Sequence, residues 1–563
     1  MASASRPSRT IIPVRRYGFD EESGSDLDVS SESDISGIHE TSSASSSDSE
    51  EDLSNNFTSE WNFVTADNDR RMHDVPIFSK DVGLQVEAPE RPEDFVFLIL
   101  DEEVFQSIAN WTNSRASRRE YSSQTRSGNR KHSVGWNDIT ASDAKKLFAM
   151  LLVMGCVRKP HVRQYFSTNQ FIETPFFTRP ESFSRDKFSL IFSNLRFADY
   201  TNSDPTRMNK VLPVIDLLRR KVQQVYKIGP RASIDEFLLL HKGRLFMKQY
   251  IPKKRARFGM KGFSLNDSET AYTFDIEMYA GREESQQWTS GIQTENLSSS
   301  EKIVVHLLHR SDLLGVGLQL TIDNWFNSIR LNEFLLDHNT LSLGTIRVNR
   351  GVPSELVNHP MTPISSKFAR KNDVLLVKFA DKRTVYLCSS LHTADVVTRR
   401  RNVRSSDIEY QLPSMIRDYN SWMSGTDRID QVMAPVKCTR KSFIWPKKLG
   451  LFLLQRLGVV NGFILAKQFM PDRMRRIRFA DYQLMVVERL MAVTARPRLR
   501  HISQHRLEEI PPTATRPRPS LRCKQCQKQD GVAARQTRYW CTGCPKNTPL
   551  HRAPLSCFDD WHK

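Results

Sequence analysis

The chain is short of the features that would send it out of a cell or into a bilayer. Its first residues, "MASASRPSRTIIPVRRYGF", hold no apolar h-region and carry arginines throughout, so no secretory signal is read. Cysteine is nearly missing from the body: Cys156, Cys388 and Cys438 stand alone, and the other five crowd into the last 41 residues. That distribution argues against a disulfide framework and for a reducing compartment with one local metal site. No internal repeat is present. The longest apolar run, "LGLFLLQRLGVVNGFILA" (449–466), is interrupted by Gln455 and Arg456. An arginine at mid-span costs roughly 2.5–3.5 kcal/mol on insertion scales, so the run reads as a buried helix and no membrane is expected.

Positive charge is absent from one stretch. Residues 18–52 contain twelve Asp or Glu and no Lys or Arg. With those acids set aside, 82 basic residues face 52 acidic ones, an excess of 30 that calls for a polyanion, nucleic acid above all. The Ser- and acid-rich start, densest at "SSASSSDSEEDLS", buries too little apolar surface to offset its ordering entropy, and residues 1–90 are expected to be disordered. Its charge makes it a candidate autoinhibitory segment for the basic body, and its Ser-acid clusters resemble acidophilic kinase sites.

What is there divides by period. At about 150 residues per domain, 563 residues allow three or four domains. "FVFLILDEEVFQSIANWT", "TASDAKKLFAMLLVMGCV", "SRDKFSLIFSNLRFAD" and "KVLPVIDLLRRKVQQVYK" space apolar residues by three and four, so 91–257 reads as helical, with Thr140 and Ser142 as candidate caps. From 258 to 350 the period changes. "FGMKGFSLND", "AYTFDIEMYAG", "LQLTIDNWF" and "SLGTIRVNR" read as strands, with helices "KIVVHLLHRSDL" and "NSIRLNEFLLDHN" between them, which predicts a mixed α/β sheet covered by helices. Residues 351–413 form an insertion with short strands, 414–439 return to the α/β core, 440–500 are helical, 501–521 are a basic linker, and 522–563 are Cys-rich.

Three acids close elements: Asp267 ends "GMKGFSLND", Asp323 ends "LQLTID", and Asp427 lies in "SGTDRID", sharing a helix face with Asp430. Converging carboxylates hold hard cations such as Mg2+, and a pair of such ions activates a nucleophile and steadies the leaving oxygen in phosphoryl transfer. An Asp at a strand end is equally a turn former or helix cap.

Several segments in order resemble the hallmarks of the piggyBac transposase family: "SIDEFLLLHKGR", "YIPKKRARFGMK", "NDSETAYTFDIEMYAG", "TIDNWFNSI", "LGTIRVNRGVP", "RKNDVLL", "YNSWMSGTDRIDQ" and "TRKSFIWPKKL". The resemblance covers roughly 95–470 and the Cys-rich tail. It implies an RNase H-like catalytic core flanked by a helical dimerisation and DNA-binding domain. It assigns Asp267, Asp323 and Asp427, with Asp430 beside the last, to a DDD set binding Mg2+ or Mn2+. The implied activity is cut-and-paste transposition: nicking of the element's ends, hairpin intermediates, and joining at TTAA sites. Two departures from the family pattern are Thr426, where Val is common, and Phe166, where Trp is usual.

Basic residues near these segments are candidate DNA contacts. Arg347 and Arg350 end the strand after the "DNWF" helix, as phosphate grips or a solvated basic strand end; Lys254 and Arg255 lie in a phosphate-binding loop or an exposed charged turn; and Arg440 and Lys441 precede Trp445, an aromatic suited to stacking on an unpaired base. Trp445 before Pro446 equally suits a helix start in the core. In the tail, Cys523-x-x-Cys526, Cys541-x-x-Cys544, His551, Cys557 and His562 have zinc-ligand spacing, and a 40-residue module of this kind needs metal to fold. Seven ligands suggest two interleaved zinc ions with one further ligand unplaced, or one full site and one partial site. By the resemblance this domain recognises terminal repeats, against a RING- or PHD-like protein-binding alternative. The expectation is a nuclear, dimeric DNA transposase. The rivals are a host-recruited, catalytically silent DNA- or chromatin-binding protein and a simple metal nuclease.

Overall fold

A computed structural model describes residues 61–562 apart from 125–135, 201–206, 252–257, 282–291, 382, 404–405, 440–443, 492–506, 514, 529–534, 543, 545–547 and 552–556. The chain forms two compact units, Met1–Ala492 and Val493–Lys563.

In the first unit the helical period is realised as expected. Helix α1 (Glu102–Gln124) packs on α2 (Ala141–Cys156), which starts with a capping box: the Thr140 hydroxyl accepts from the Asp143 amide, and the Asp143 carboxylate accepts from the Thr140 amide. Thr140 rather than Ser142 is the cap. Helices α3 (Arg185–Asn194) and α4 (Leu212–Val225) complete this part. Phe166 sits between the rings of Phe177 and Phe188, at 5.5 and 5.6 Å, so an aromatic smaller than Trp fills that position.

A ten-stranded mixed sheet carries the core. Its strands, in chain order, are β1 (Asn62–Val64), β2 (Arg231–Leu240), β3 (Phe258–Asp267), β4 (Thr273–Met278), β5 (Gln319–Ile322), β6 (Leu341–Thr345), β7 (Ser365–Lys371), β8 (Val374–Ala380) and β9 (Thr384–Ser389), with a short edge strand Lys248–Tyr250. The spatial order is β1-β7-β8-β9-β6-β5-β2-β3, then Lys248–Tyr250, with β4 also on β3. The pairs β2–β5 and β5–β6 are parallel, because α5 (Ser299–Arg310) and α6 (Ile329–Asp337) are crossovers; the other pairings are antiparallel.

Three expected boundaries change. The core begins at β2, not at residue 258. In "RASIDEFLLL" the apolar residues Ile234, Phe237 and Leu238 have helix-like spacing, and only pairing on both sides makes the segment a central strand. Residues 351–413 are not a separate body: β7, β8 and β9 extend the same sheet, and only β10 (Val396–Val403) with β11 (Ser406–Pro413) form their own two-stranded ribbon. Residues 61–90, expected to be disordered, form an ordered arm. Trp61 and Val64 pack on the sheet, Asp69 makes a buried ion pair with Arg370, and Asp373 accepts from the Met72 amide at 2.6 Å. The arm then passes Gly317 (φ +77), where a Cβ would collide with the Ile77 carbonyl. The acid-rich stretch itself lies outside the described residues.

After the ribbon come α7 (Ser414–Trp422), α8 (Gly425–Met433), α9 (Trp445–Phe469) and α10 (Phe479–Leu490). The expected buried helix is α9. It is long and apolar enough to cross a membrane, yet nearly all of it is buried inside the protein, and it turns π-helical over Leu454–Val460, around Arg456.

In the second unit, Leu507–Glu509 pairs with Tyr539–Cys541, so part of the expected linker belongs to the Cys-rich module.

Candidate carboxylate site and cysteine centre

The parallel register of β2 and β5 sets Ile234 opposite Ile322, which makes Asp235 and Asp323 the next residues on neighbouring strands. Such strands lie about 4.8 Å apart, and the period of two puts Ser233, Asp235, Thr321 and Asp323 on one face. Asp323 accepts from the Asn324 amide at 2.6 Å and from the Thr345 hydroxyl at 2.9 Å, which fixes its carboxylate. The Asp235 carboxylate accepts from the Glu236 amide at 2.7 Å. Over them lies Tyr419 of α7, its hydroxyl 3.5 Å from that of Thr345. Burial, then the charges of Asp323 and Asp235, push the Tyr419 phenol up to about 12. At neutral pH it is therefore a donor rather than a base.

Asp235 was missed in the sequence, where "SIDEF" was available as one of the family-like segments. Asp267, chosen instead, is not brought to Asp323. It pairs with Ala232, whereas Asp235 pairs with Ser264, three residues earlier on β3. Three residues are about 10 Å along a strand, and the odd spacing turns the side chain to the opposite face. There the Asp267 carboxylate is buried and accepts three amide hydrogens at 2.9 Å, from Gly229, Glu269 and Thr270. It closes the β3–β4 turn, as a strand-end Asp does.

Helix α8 starts directly on the sheet. A Cβ on Gly425 would lie 3.1 Å from the Ser233 hydroxyl and 3.2 Å from Asn266 Cβ, so only glycine permits this approach without adjustment. The departure at Thr426 has a structural partner: its hydroxyl accepts from Asn266 Nδ2 at 2.8 Å and lies 3.0 Å from that of Ser264. Asp427 stands exposed on the outer side of α8. Asp430, one turn on, accepts from Arg456 Nη1 at 3.0 Å. The Arg456 guanidinium is fully buried, stacks 4.8 Å from the Phe237 ring centre, and donates to the Ser264 hydroxyl at 3.3 Å. Among the described residues no three carboxylates are gathered into one cluster.

The basic candidates separate. Arg347 is exposed and donates to the Asn324 side chain at 3.2 Å, next to Asp323. Arg350 turns inward: it donates to Ser298 and Ser300 at 3.3 and 3.1 Å and lies 3.8 Å from the buried Glu301 carboxylate, so it braces the start of α5 rather than facing solvent. Trp445 is half-buried at the N-terminus of α9, edge-on to Phe246. Lys254, Arg255, Arg440 and Lys441 lie outside the described residues.

In the tail, Cys523, Cys526, His551 and Cys557 converge, with their ligand atoms all within 4.8 Å of one another. The Cys526 and Cys557 sulfurs are 3.7 Å apart. Two Zn–S bonds of about 2.3 Å at a tetrahedral angle span roughly 3.8 Å, so three thiols and an imidazole at this separation fit zinc. His551 Nε2 lies 3.1 Å from the Gln536 carbonyl, a contact that leaves Nδ1, 3.5 Å from the Cys526 sulfur, as the ligand atom. Burial and the neighbouring sulfurs push the Cys557 thiol up to about 12, so the thiolate form asks for a cation. The first ligand pair joins the third and steps over Cys541 and Cys544, the order of a cross-brace. Of the seven expected ligands, these four form the one such group among the described residues, and the His562 side chain lies outside them. None of the eight cysteines is in a disulfide.

Comparisons with known proteins converge. A family model described as "Transposase IS4" matches residues 91–463. Human PiggyBac transposable element-derived protein 3 is 24% identical over 491 residues, covering 84% of this chain and 76% of that protein. Human PiggyBac transposable element-derived protein 2 is 24% identical over 319 residues, covering 54% of this chain and 52% of that protein. Among solved structures, the cryo-EM structure of a piggyBac transposase synaptic complex with hairpin DNA superposes with a TM-score of 0.60 at 24% identity, over 75% of this chain and 86% of that one.

Proposed function

This chain belongs to the piggyBac-type transposase family, and from that premise we propose that it is a cut-and-paste DNA transposase working by phosphoryl transfer at Asp235 and Asp323. The observation that carries the reading is the level placement of these two carboxylates on adjacent parallel strands, facing the same way. The strand order around them supports an RNase H-like core. Mg2+ or Mn2+ bound there would polarise the scissile phosphate and steady charge on the attacking and leaving oxygens.

The chain's own side chains set the geometry. Thr345 and the Asn324 amide hold the Asp323 carboxylate, and the protonated Tyr419 hydroxyl donates beside it. Arg347, exposed next to Asp323, is placed to grip a phosphate of the bound strand. Asp427 is the third carboxylate of this reading, supplied from the outer side of α8 as DNA binds, while Asp430 is committed to Arg456. The proposed course is nicking at the element's 3′ ends, attack of the freed hydroxyl on the opposite strand to give hairpins, and joining at TTAA. A zinc-bound tail reading terminal repeats, a dimer holding two ends together, and a nuclear site of action complete the proposal.

The test is incubation of the full chain with Mg2+ or Mn2+ and duplexes carrying the repeats that flank its coding sequence, read on denaturing gels. Nicked and hairpin products from the native chain, and none from Asp323→Ala, are expected. Equal products from both would sink the assignment, and nicking alone would indicate a simple nuclease. One observation favours a second reading, a silent DNA- or chromatin-binding protein: among the described residues no third carboxylate is gathered with the first two. That reading predicts repeat-specific binding with no product under any metal.

A further inference from the structure

The ribbon of β10 and β11 stands off the ten-stranded sheet, touching it where β11 packs against β7 and α7. Its strands pair with each other from Val396↔Pro413 to Val403↔Ser406 and with no strand of the ten-stranded sheet. A lone two-stranded hairpin is marginal in water and ordinarily needs an apolar face to pack. Here the strand sequence is "VVTRRRNV", and Thr398, Arg399 and Arg400 are exposed. Successive strand residues point to opposite faces, so the exposed Arg399 and Arg400 distribute positive charge to both faces. Over 396–413, four arginines stand against two acids, Asp407 and Glu409, and Glu409 is paired with Arg400 at 2.7 Å.

The ribbon is also rooted at the site. The Ser414 amide bonds to the Asp395 carbonyl at 2.9 Å across its base, and β11 runs directly into α7. Tyr419, which lies over Asp323 and Asp235, is six residues beyond Pro413, about 9 Å of helix. A two-stranded ribbon has the width to enter the major groove of duplex DNA, and arginines on both faces meet the phosphates lining it.

We propose that residues 396–413 form a DNA-binding β-ribbon that lies along the duplex flanking the bond held at Asp235 and Asp323. It rests on the DNA-processing reading above, and it adds a contact surface that none of the motif residues supplies. Arg399 and Arg400 are the principal contacts, and Glu409 tempers them by engaging Arg400.

The experiment measures the salt dependence of binding of the full chain to a fluorescent 40-base-pair random duplex. The variants are Arg399→Gln/Arg400→Gln/Arg401→Gln and, separately, Glu409→Gln. Each lost phosphate contact lowers the slope of log K against log salt by about 0.9, so the triple variant is expected to lose roughly 2 to 3 units of slope and to weaken binding more than tenfold at 0.15 M salt. Glu409→Gln frees Arg400, and a gain of up to about threefold, opposite in sign, is expected; a folding defect would not produce a gain. Unchanged slopes in both variants, with the native chain bound, would overturn the ribbon and leave the transposase reading standing. Failure of the native chain to bind any duplex at low salt would overturn both.

Discussion

The tail and the sheet each bring distant chemistry together, but they do it on different scales. In the tail, four zinc-type ligands come from a stretch of 35 residues, Cys523 to Cys557, with C-x-x-C spacing that forces the first two onto one ion. In the sheet, Asp235 and Asp323 are separated by 88 positions, and nothing between them encodes the distance. A ligand set can be read where the chain itself is the ruler. It cannot be read where a strand register is the ruler, and Asp267 shows the cost: it has the right residue type at the end of a strand, yet sits at the wrong level and on the wrong face.

The sharpest way to break this contrast is to exchange the two acids. Asp235→Ala is expected to lower strand cleavage by on the order of 10^3-fold or more, as loss of a charge-stabilising group does. Asp267→Asn should keep most activity, because an amide oxygen still accepts the turn amides. Cleavage rates and denaturant midpoints of both variants decide it, and the reverse ranking would restore Asp267 to the site.

Next in size is the tail. Cys557→Ser, or treatment with a strong chelator, should remove bound zinc and unfold residues 507–562, while the denaturation midpoint of the first unit stays fixed. Metal analysis and amide exchange read the two parts separately.

A smaller effect probes the support beneath the carboxylates. Asp430→Ala leaves the buried Arg456 guanidinium without its ion pair and should destabilise the first unit by about 1–3 kcal/mol. Arg456→Met, which removes the charge itself, should cost less. Urea unfolding compares them.

The smallest effect is a pH slope. His241 is fully buried, with no hydrogen-bond partner for either ring nitrogen among the described residues. Burial, then the charges of Lys448 and Lys248, holds its pKa below the ordinary value. The unfolded chain therefore binds a proton that the folded chain does not. This contribution is fully present above about pH 6.5 and is lost as pH falls below it. His241→Leu should flatten stability between pH 7 and 5.

Much of the fold was legible. The strands at 258–267, 273–278 and 319–322 and the crossover helices followed from periodicity, and the buried course of α9 from an apolar run with an arginine at its middle, because each pattern is local. The strand at 231–240 was not, since helix-like spacing in "SIDEFLL" competes with a sheet only when β3 and β5 are already beside it. The ordered arm at 61–90 was hidden by an acidic neighbour of very different composition. Arg350 was misplaced because an arginine's number does not say whether it faces solvent or Glu301.

The sequence alone determined the periods, the metal-ligand spacing of the tail and the excess of positive charge, all properties that need no tertiary contact. Only the tertiary structure decided which acid stands beside Asp323. That choice depends on how two strands slide past each other before they lock, and one residue of slip turns every side chain to the other face.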